Sequence, residues 1–353
     1  EMCIRDRDNY EFKDPANREF FAHIGADDVI YPEYLAALEI IQALQHNWVR
    51  HWFELHDGEL ILVGVKLRDN APLVGIKLKD LGMTEHNFHV AAIKRNHETI
   101  IPRGDDRIEL NDIVYFMTTR EHVNSLIDLC GKTERKIRNV LIMGGSRIAI
   151  RLCAMVGDKY NIKIMDVDRE HCLRLSERCP DAKIIHADAR DTDALRDAGI
   201  TDMDAFIALA DSSETNILTC LTAKEFGVIK TIAEVENLQF ISEAEGLNIG
   251  TVINKKLLAS SRIFQMLLDR DTSTSKCLAL ADAEVAEIVA KPGSKITRSP
   301  VKDMRLSRDM TIAGLIRDGK GYLVSGNTVI EPGDRVVVFT LNGVIHKVEK
   351  LFS

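Results

Sequence analysis

Two segments of this chain resemble each other although 222 positions separate them. IPRGDDRIELNDIVYFMT (101–118) aligns with LVSGNTVIEPGDRVVVFT (323–340), and upstream LKDLGM (78–83) matches VKDMRL (301–306) with a slip of one residue. A repeat of such long period indicates that one architectural unit is present twice. The strand-like runs and turn signals of each copy predict a small β-rich α+β domain. The paired positions are Gly104 with Gly326, Ile108 with Ile330, Glu109 with Glu331 and Asp112 with Asp334.

The region between the repeats has a different pattern, in which short apolar runs alternate with helical stretches. This alternation predicts an α/β domain with a Rossmann-like, doubly wound parallel sheet. In such a sheet, ligands bind outside the carboxyl ends of the strands, at the point where the strand order reverses. The strand-like runs are NVLIM (139–143), IKIMD (162–166), KIIH (183–186), AFIAL (205–209) and TIAEV (231–235).

These patterns predict four parts along the chain. Residues 8–48 look like the end of a preceding nucleotide domain and its connecting helix, and residues 49–132 form the first β-rich domain. Residues 137–270 form the intact nucleotide domain, and residues 274–353 form the second β-rich domain. Residues 1–7, EMCIRDR, are too charged for a buried strand, so we expect foreign residues ahead of a truncated gene. A short native N-terminal arm is the alternative.

The turn after the first predicted strand carries a partial dinucleotide fingerprint. Gly144 occupies the first glycine position of G-x-G-x-x-G, whereas Ser146 and Ala149 occupy the second and third. The Ser146 hydroxyl would either donate to a phosphate or exclude one by its bulk. Asp166 ends the second strand 22 residues later, where an acid hydrogen-bonds a ribose 2′-hydroxyl. A fold that has kept its shape and lost its ligand is the competing interpretation.

Polar residues follow the other predicted strands. Asp188 comes after the third strand, where an adenine edge would be read. Ala210 and Asp211 follow the fourth and lead into Ser212 and Ser213, which are good N-cap residues for the next helix. Glu234, near the end of the fifth strand, faces either the cleft or solvent.

Composition excludes several classes of protein. A net charge of −8 and a pI near 5.8 give no basic footprint for nucleic acid. No apolar run reaches the roughly 18 residues that a membrane-spanning helix needs. The seven cysteines are scattered and lack a CxxC pair, which favours reduced thiols over a disulfide framework or a zinc site.

The segments LIMGGSRIAIRL, IKIMDVD, HADARD, ALADSSETNI and EVENLQFISEAEG, in this order, resemble the second RCK (KTN) nucleotide domain of the TrkA family of potassium uptake proteins. Both repeats resemble the RCK C-terminal domain of that family. The resemblance implies a cytoplasmic regulatory subunit, peripheral on the inner face of the plasma membrane and without enzymatic activity. It implies NAD(H) as ligand, with ATP or ADP also bound in the family. The implied partners are a membrane potassium-translocating subunit of the TrkH or TrkG type and further copies of the chain, as a dimer or tetrameric ring.

The resemblance also assigns positions to the nucleotide site. Its phosphate loop falls on Gly144 to Ile148, its ribose acid on Asp166 and its adenine side near Asp188. Glu234 takes a position where the family often has a basic residue near the phosphates. The full set of implied positions is Gly144, Gly145, Ser146, Arg147, Ile148, Asp166, Asp188, Ala210, Asp211 and Glu234.

Two other classes of function are alternatives, an NAD-dependent oxidoreductase and a DNA-binding regulator. An NAD-dependent oxidoreductase needs a proton donor or acceptor beside the nicotinamide. Only His171 and His186 fall in the intact nucleotide domain, and no Ser/Tyr-x-x-x-Lys motif accompanies them. A DNA-binding regulator is disfavoured by the acidic balance. Binding of a second messenger such as cyclic di-AMP to the β-rich domains stays open, as does the role of the helix over 257–268, which is either a crossover to a neighbouring subunit or an ordinary core helix.

Overall fold

The structure, a computed structural model, describes residues 30–81, 88–96, 98–247, 249–269, 274–280, 283–304, 306–341 and 345–352, together with His23. Three sheets organise this part of the chain. The first seven residues and most of the predicted remnant before residue 30 lie outside the described residues. Within the described ranges, no helix is both long and apolar enough to cross a membrane.

The central sheet has six parallel strands in the spatial order β11-β10-β9-β6-β7-β8. Numbered within the domain, this is the 3-2-1-4-5-6 order of a Rossmann-type sheet read from the β8 edge, with its reversal between β6 and β9. The sequence-based prediction of a doubly wound sheet is therefore confirmed. The strands are β6 (Asn139–Met143), β7 (Asn161–Asp166), β8 (Lys183–His186), β9 (Ala205–Ala208), β10 (Lys230–Glu234) and β11 (Thr251–Ile253).

Helices cover both faces of this sheet because its strands are apolar on both sides. In β6, Val140 and Ile142 point to one face, and Leu141 and Met143 point to the other. The first face packs against α3 and α4, and the second packs against α5, α6 and α7. These helices are α3 (Arg147–Val156), α4 (Arg169–Arg178), α5 (Thr192–Asp197), α6 (Ser213–Glu225) and α7 (Gln239–Gly246).

Two further helices connect the nucleotide domain to its neighbours. Helix α1 (Pro32–Gln45) comes from the predicted remnant, yet its buried face, with Ala36, Ile40 and Leu44, belongs to the same core as α3. Helix α8 (Lys255–Asp269) contains the predicted helix over 257–268 and packs against α1 within the chain. Whether α8 also reaches a neighbouring subunit stays a prediction.

The two β-rich domains have the same topology. The first sheet has the order β1-β2-β5-β3-β4 and the second β12-β13-β16-β14-β15, with antiparallel pairing throughout. The first domain contains β1 (His51–Leu55), β2 (Leu60–Lys66), β3 (Phe88–Arg95), β4 (Glu98–Ile100), β5 (Ile113–Thr118) and α2 (Ser125–Leu129). The second contains β12 (Thr274–Leu280), β13 (Ala283–Val289), β14 (Met310–Arg317), β15 (Lys320–Leu323), β16 (Arg335–Leu341) and α9 (Ile345–Phe352).

Equivalent side chains repeat the same bonds in both copies. Arg95 holds the buried Asp112 carboxylate through two hydrogen bonds of 2.9 and 2.8 Å, and Arg317 holds Asp334 through two of 2.8 and 2.6 Å. A β-bulge interrupts β3 after Val90 and interrupts β14 at the equivalent place. A buried, bidentate pair fixes the turn before the last strand, so the repeated Asp is a structural residue in each copy.

The two small sheets pack face to face through an apolar cluster that draws on both domains. His89 of β3 meets Thr311 of β14 across this contact, with 3.3 Å between His89 Nε2 and Thr311 Oγ1. These two residues occupy the same position of the repeat. The duplicated domains therefore meet around a pseudo-two-fold axis inside one chain.

Candidate nucleotide-binding site

The turn after β6 depends on the backbone freedom of Gly144. Its φ of +90° lies in the left-handed region, where side chains other than glycine are strained. A Cβ at this position would also come within 2.8 Å of the Leu209 carbonyl oxygen on the neighbouring strand. The first fingerprint glycine thus has the role that the sequence predicts, a tight turn between strand and helix.

Gly145 allows a helix to approach the same turn. A Cβ on Gly145 would lie 2.2 Å from a methyl carbon of Leu175, a buried residue of α4. Its amide donates a 2.8 Å hydrogen bond to the Asp166 carboxylate at the end of β7. The loop and the predicted ribose acid therefore belong to one cleft.

Ser146 is the N-cap residue of α3. Its hydroxyl oxygen lies 3.5 Å from the Ala149 amide and accepts from it, which satisfies one of the free amides of the first helical turn. The capping role explains why serine stands at the second glycine position of the fingerprint. A phosphate at the start of α3 would have to share amides that Ser146 and Asp166 already engage.

Asp166 is the most connected side chain of the cleft. One carboxylate oxygen accepts from the Asp168 amide at 2.9 Å, and the other accepts from Gly145 and lies 3.1 Å from His171 Nδ1. Asp168 in turn caps α4 by accepting from the His171 amide. These bonds orient the Asp166 carboxylate toward the loop.

The wall beyond β8 is formed by Asp188 and Arg190. The Arg190 guanidinium makes three hydrogen bonds to the Asp188 carboxylate, the shortest 2.7 Å. These bonds lower the pKa of Asp188, which stays ionised at neutral pH. Its carboxylate is available only if a ligand competes with Arg190.

The opposite wall follows β9. Ala210 has both its amide and its carbonyl bound to the side chain of Asn216, a buried residue of α6 that also donates to the Glu234 carbonyl. Ser212 caps α6 by accepting from the Thr215 amide, as the sequence predicts. Asp211, between these anchored residues, lines the cleft.

Seven of the ten predicted positions meet in one cleft of about 490 Å³ at the switch point. They are Gly144, Gly145, Ser146, Asp166, Asp188, Ala210 and Asp211. Arg147 and Ile148, the first two residues of α3, are not among the lining residues: Arg147 is exposed, and Ile148 is buried in the core between α3 and the sheet.

Glu234 requires a correction, because it faces neither the cleft nor solvent. Its side chain is buried and forms an ion pair with Lys255, with 3.0 Å between the Lys255 Nζ and a carboxylate oxygen. Burial raises the pKa of Glu234, and the Lys255 charge opposes that rise. The reversed charge at this position is therefore buried, outside the lining of the cleft and paired with Lys255.

The lining of the cleft is acidic. Four carboxylates, those of Asp166, Asp168, Asp188 and Asp211, face one guanidinium and the imidazole of His171. Sequence reasoning identified three of the four aspartates but missed His171 and Arg190 as members. Their positions in the sequence could have indicated them, because His171 comes five residues after Asp166 and Arg190 comes two residues after Asp188. Among the described residues, no His, Cys, Asp or Glu group is arranged to hold a metal ion.

Comparison with known proteins identifies both kinds of domain in the chain. A family model for the TrkA-N domain matches residues 140–255, and one for the TrkA-C domain matches residues 62–131 and 285–353. The TrkA protein of the Trk potassium uptake system from Halomonas elongata is 30% identical over 341 residues, covering 94% of this chain and 75% of that protein. The chain belongs to the TrkA family. A TrkA from Vibrio alginolyticus is 29% identical over 338 residues, with coverage of 94% and 73%.

Solved structures support the fold of this TrkA-family chain. The GsuK channel bound to NAD superposes with a TM-score of 0.51 at 15% identity, covering 96% of this chain. The chain spans 61% of that channel chain. The GsuK RCK domain gives a TM-score of 0.52, with 73% of that domain structure covered. At this identity, the likeness establishes the architecture of RCK domains and nothing finer.

Proposed function

We propose that this chain is the nucleotide-sensing, regulatory part of a potassium uptake system and that its ligand is NAD(H). The observation that supports the proposal most directly is the 2.8 Å bond between the Gly145 amide and Asp166, which places the loop and the acid in one cleft. In the proposed pose, Gly144, Gly145 and Ser146 lie beside the pyrophosphate and Asp166 accepts from a ribose hydroxyl. Asp188 lies toward the adenine, and Ala210 and Asp211 form the opposite wall.

The charge of the cleft favours NAD(H) over ATP or ADP. Several carboxylates line the cleft, and two amides at the start of α3 are already engaged. A dinucleotide with two phosphate charges suffers less repulsion there than a triphosphate with about four, since repulsion grows with the product of charges. We therefore expect ATP to bind more weakly than NADH.

A chain of contacts leads from the cleft to the first β-rich domain. Ser213, at the start of α6, accepts from the Glu236 amide at 3.0 Å, and Glu236 precedes α7. The end of α7 then carries Glu245 into the first β-rich domain, where it pairs with Lys94 at 2.6 Å. A ligand shifts such a contact only by binding one arrangement more tightly than the other. We propose that α7 is the element whose position the nucleotide changes.

The wider assignments are part of the same proposal. The curated relatives carry the name Trk system potassium uptake protein, so the proposed partner is a membrane potassium-translocating subunit of the TrkH or TrkG type. The proposed assembly is a dimer or ring on the cytoplasmic face. Within each chain, the proposed domain limits are 49–132, 137–270 and 274–353. We propose no catalytic role, because His171 lies against Asp166 and His186 against the Val167 carbonyl.

Calorimetric titration of the purified chain with NADH, NADPH and ATP tests the nucleotide site. We expect NADH to bind more tightly than NADPH, because an acid at the ribose position repels a 2′-phosphate. Asp166→Asn keeps the shape of the side chain and removes its charge, so the preference for NADH over NADPH should fall at least several-fold.

Asp168→Asn is the matched control, because it removes the same charge from the same cleft at a side chain whose hydrogen bond goes to the His171 amide. It should weaken the cap of α4 and leave the ratio of NADH to NADPH affinity unchanged. Failure of NADH to bind to a chain whose circular dichroism is native would contradict the proposed ligand. An equal effect of both substitutions on the ratio would contradict the role of Asp166.

A further inference from the structure

A second cavity adjoins the nucleotide cleft. It has a volume of about 670 Å³ and lies between the start of α6, the segment that precedes α7 and the first turn of α8. Asp211 and Ser212 line both the cavity and the cleft, so the two spaces share a wall. The cleft is formed at the ends of β6, β7, β8 and β9, whereas the second cavity is formed at the ends of β9 and β10.

This position assigns the second cavity to the second half of a dinucleotide. A sheet with this strand order has two mononucleotide-binding halves, and a dinucleotide lies across the crevice between them. In the proposed pose, the cleft holds the adenosine half beside Asp166 and Asp188 and the pyrophosphate beside Gly144. The ribose and the ring beyond the pyrophosphate then extend past Asp211 and Ser212. The nicotinamide ring therefore lies among the side chains of the second cavity.

The lining of the second cavity is acidic. Its charged side chains are three carboxylates, those of Asp211, Glu214 and Glu236, and the ammonium of Lys256. Glu236 also pairs with Lys255 at 2.9 Å, which compensates part of its charge. The N-terminus of α6 adds a partial positive charge of about half a unit, which is smaller than the charge of Asp211 and Glu214 together. The potential at the ring is therefore negative.

We propose that this chain binds NAD⁺ more tightly than NADH and that Asp211 and Glu214 determine this preference. The inference rests on the proposed nucleotide site. The oxidised ring carries one positive charge and the reduced ring carries none, while both forms have the same pyrophosphate, riboses and adenine. The ratio of the two affinities therefore measures the potential at the ring. Because both acids are exposed, solvent screens the attraction, and we expect a ratio of about three- to tenfold. Occupancy of the site would then depend on the ratio of oxidised to reduced nucleotide.

Calorimetric titration of the purified chain with NAD⁺ and, separately, with NADH tests the preference. At an ionic strength of about 0.1 M, where charges are screened over roughly 10 Å, we expect NAD⁺ to bind at least threefold more tightly. At about 1 M the ratio should approach one, because screening then acts over roughly 3 Å. Equal affinities at the lower salt, or tighter binding of NADH, would overturn the proposal. Binding of neither form to a chain with native circular dichroism would contradict the proposed nucleotide site, and the preference with it.

Three substitutions test whether the second cavity causes the preference. Glu214→Gln removes one charge and keeps an oxygen for the 3.0 Å hydrogen bond from the Ser212 hydroxyl, so the ratio of NAD⁺ to NADH affinity should fall at least twofold. Lys256→Met removes the cation and should raise the ratio. Substitutions that act on the phosphates change both affinities alike and leave the ratio unaltered.

Glu225→Gln is the matched control, because it removes the same charge from the other end of α6, about 16 Å from Glu214. This distance exceeds the screening length at 0.1 M salt, so the ratio should stay as in the unchanged chain. A ratio that does not respond to Glu214→Gln, or that responds equally to Glu225→Gln, would overturn the role of the second cavity.

Discussion

At the scale of single residues, two glycines with nearly the same backbone angle differ in what surrounds them. Gly144 has a φ of +90° and no space for a Cβ, whereas Gly227, at the end of α6, has a φ of +88° and open space around it. Gly227→Ala should cost about 1–2 kcal/mol through backbone strain alone. Gly144→Ala adds the clash with the Leu209 carbonyl, so we expect its cost to exceed that of Gly227→Ala by at least about 1 kcal/mol. Urea denaturation of both variants measures the difference, and equal midpoints would contradict the steric argument.

Single residues also show what sequence can and cannot predict. Gly144 and Ser212 were predictable, because a tight turn and an N-cap depend on residues within a few positions. The roles of Gly145 and Glu234 were not, because they are set by Leu175 and Lys255, which approach only in the folded domain. Five strands of the central sheet were predictable because their apolar runs are continuous, and their ends lie within one residue of the predicted limits, whereas β11 (Thr251–Ile253) was not predicted.

At the scale of elements, helix α7 ends in a set of cations from another domain. Arg50 donates to the Glu245 carbonyl at 2.8 Å, Lys66 donates to the Gly246 carbonyl at 3.0 Å, and Lys94 pairs with the Glu245 carboxylate. These cations neutralise the negative end of the helix and its last carboxylate together. No local pattern predicted this contact, because 151 positions separate Lys94 from Glu245.

A double-mutant cycle on Lys94→Met and Glu245→Gln measures the strength of this contact. Removing one partner of a buried pair costs about 3–5 kcal/mol, because the remaining group is left without compensation. The double variant should therefore lose less than the sum of the two singles. The Lys79–Asp105 pair is the control, because its 2.7 Å distance is similar but both side chains are more than half exposed. We expect no measurable coupling energy between Lys79 and Asp105. Equal coupling energies in the two pairs would show that burial does not cause the coupling between Lys94 and Glu245.

At the scale of the whole molecule, the duplicated sheets close on each other around His89. Enclosure between the sheets lowers the pKa of His89 to about 4. The unfolded chain, with an ordinary histidine pKa near 6.5, then binds more protons than the folded chain between about pH 4 and 6.5. The stability contributed by neutral His89 is complete above that window and is lost as the pH falls through it.

Replacement of His89 by glutamine tests whether this contact makes the chain acid-sensitive. Glutamine can still bond to Thr311 and does not titrate, so unfolding free energy should fall less between pH 7 and pH 4.5 than in the unchanged chain. A histidine pKa lowered from 6.5 to about 4 corresponds to about 3 kcal/mol of stability once the window is fully crossed. Burial also lowers the pKa of His51 to about 4, so part of the acid sensitivity should remain. If His89→Gln does not change the slope of unfolding free energy against pH, the sheets must separate before the imidazole is protonated. The contact between the two β-rich domains would then be weaker than its burial indicates.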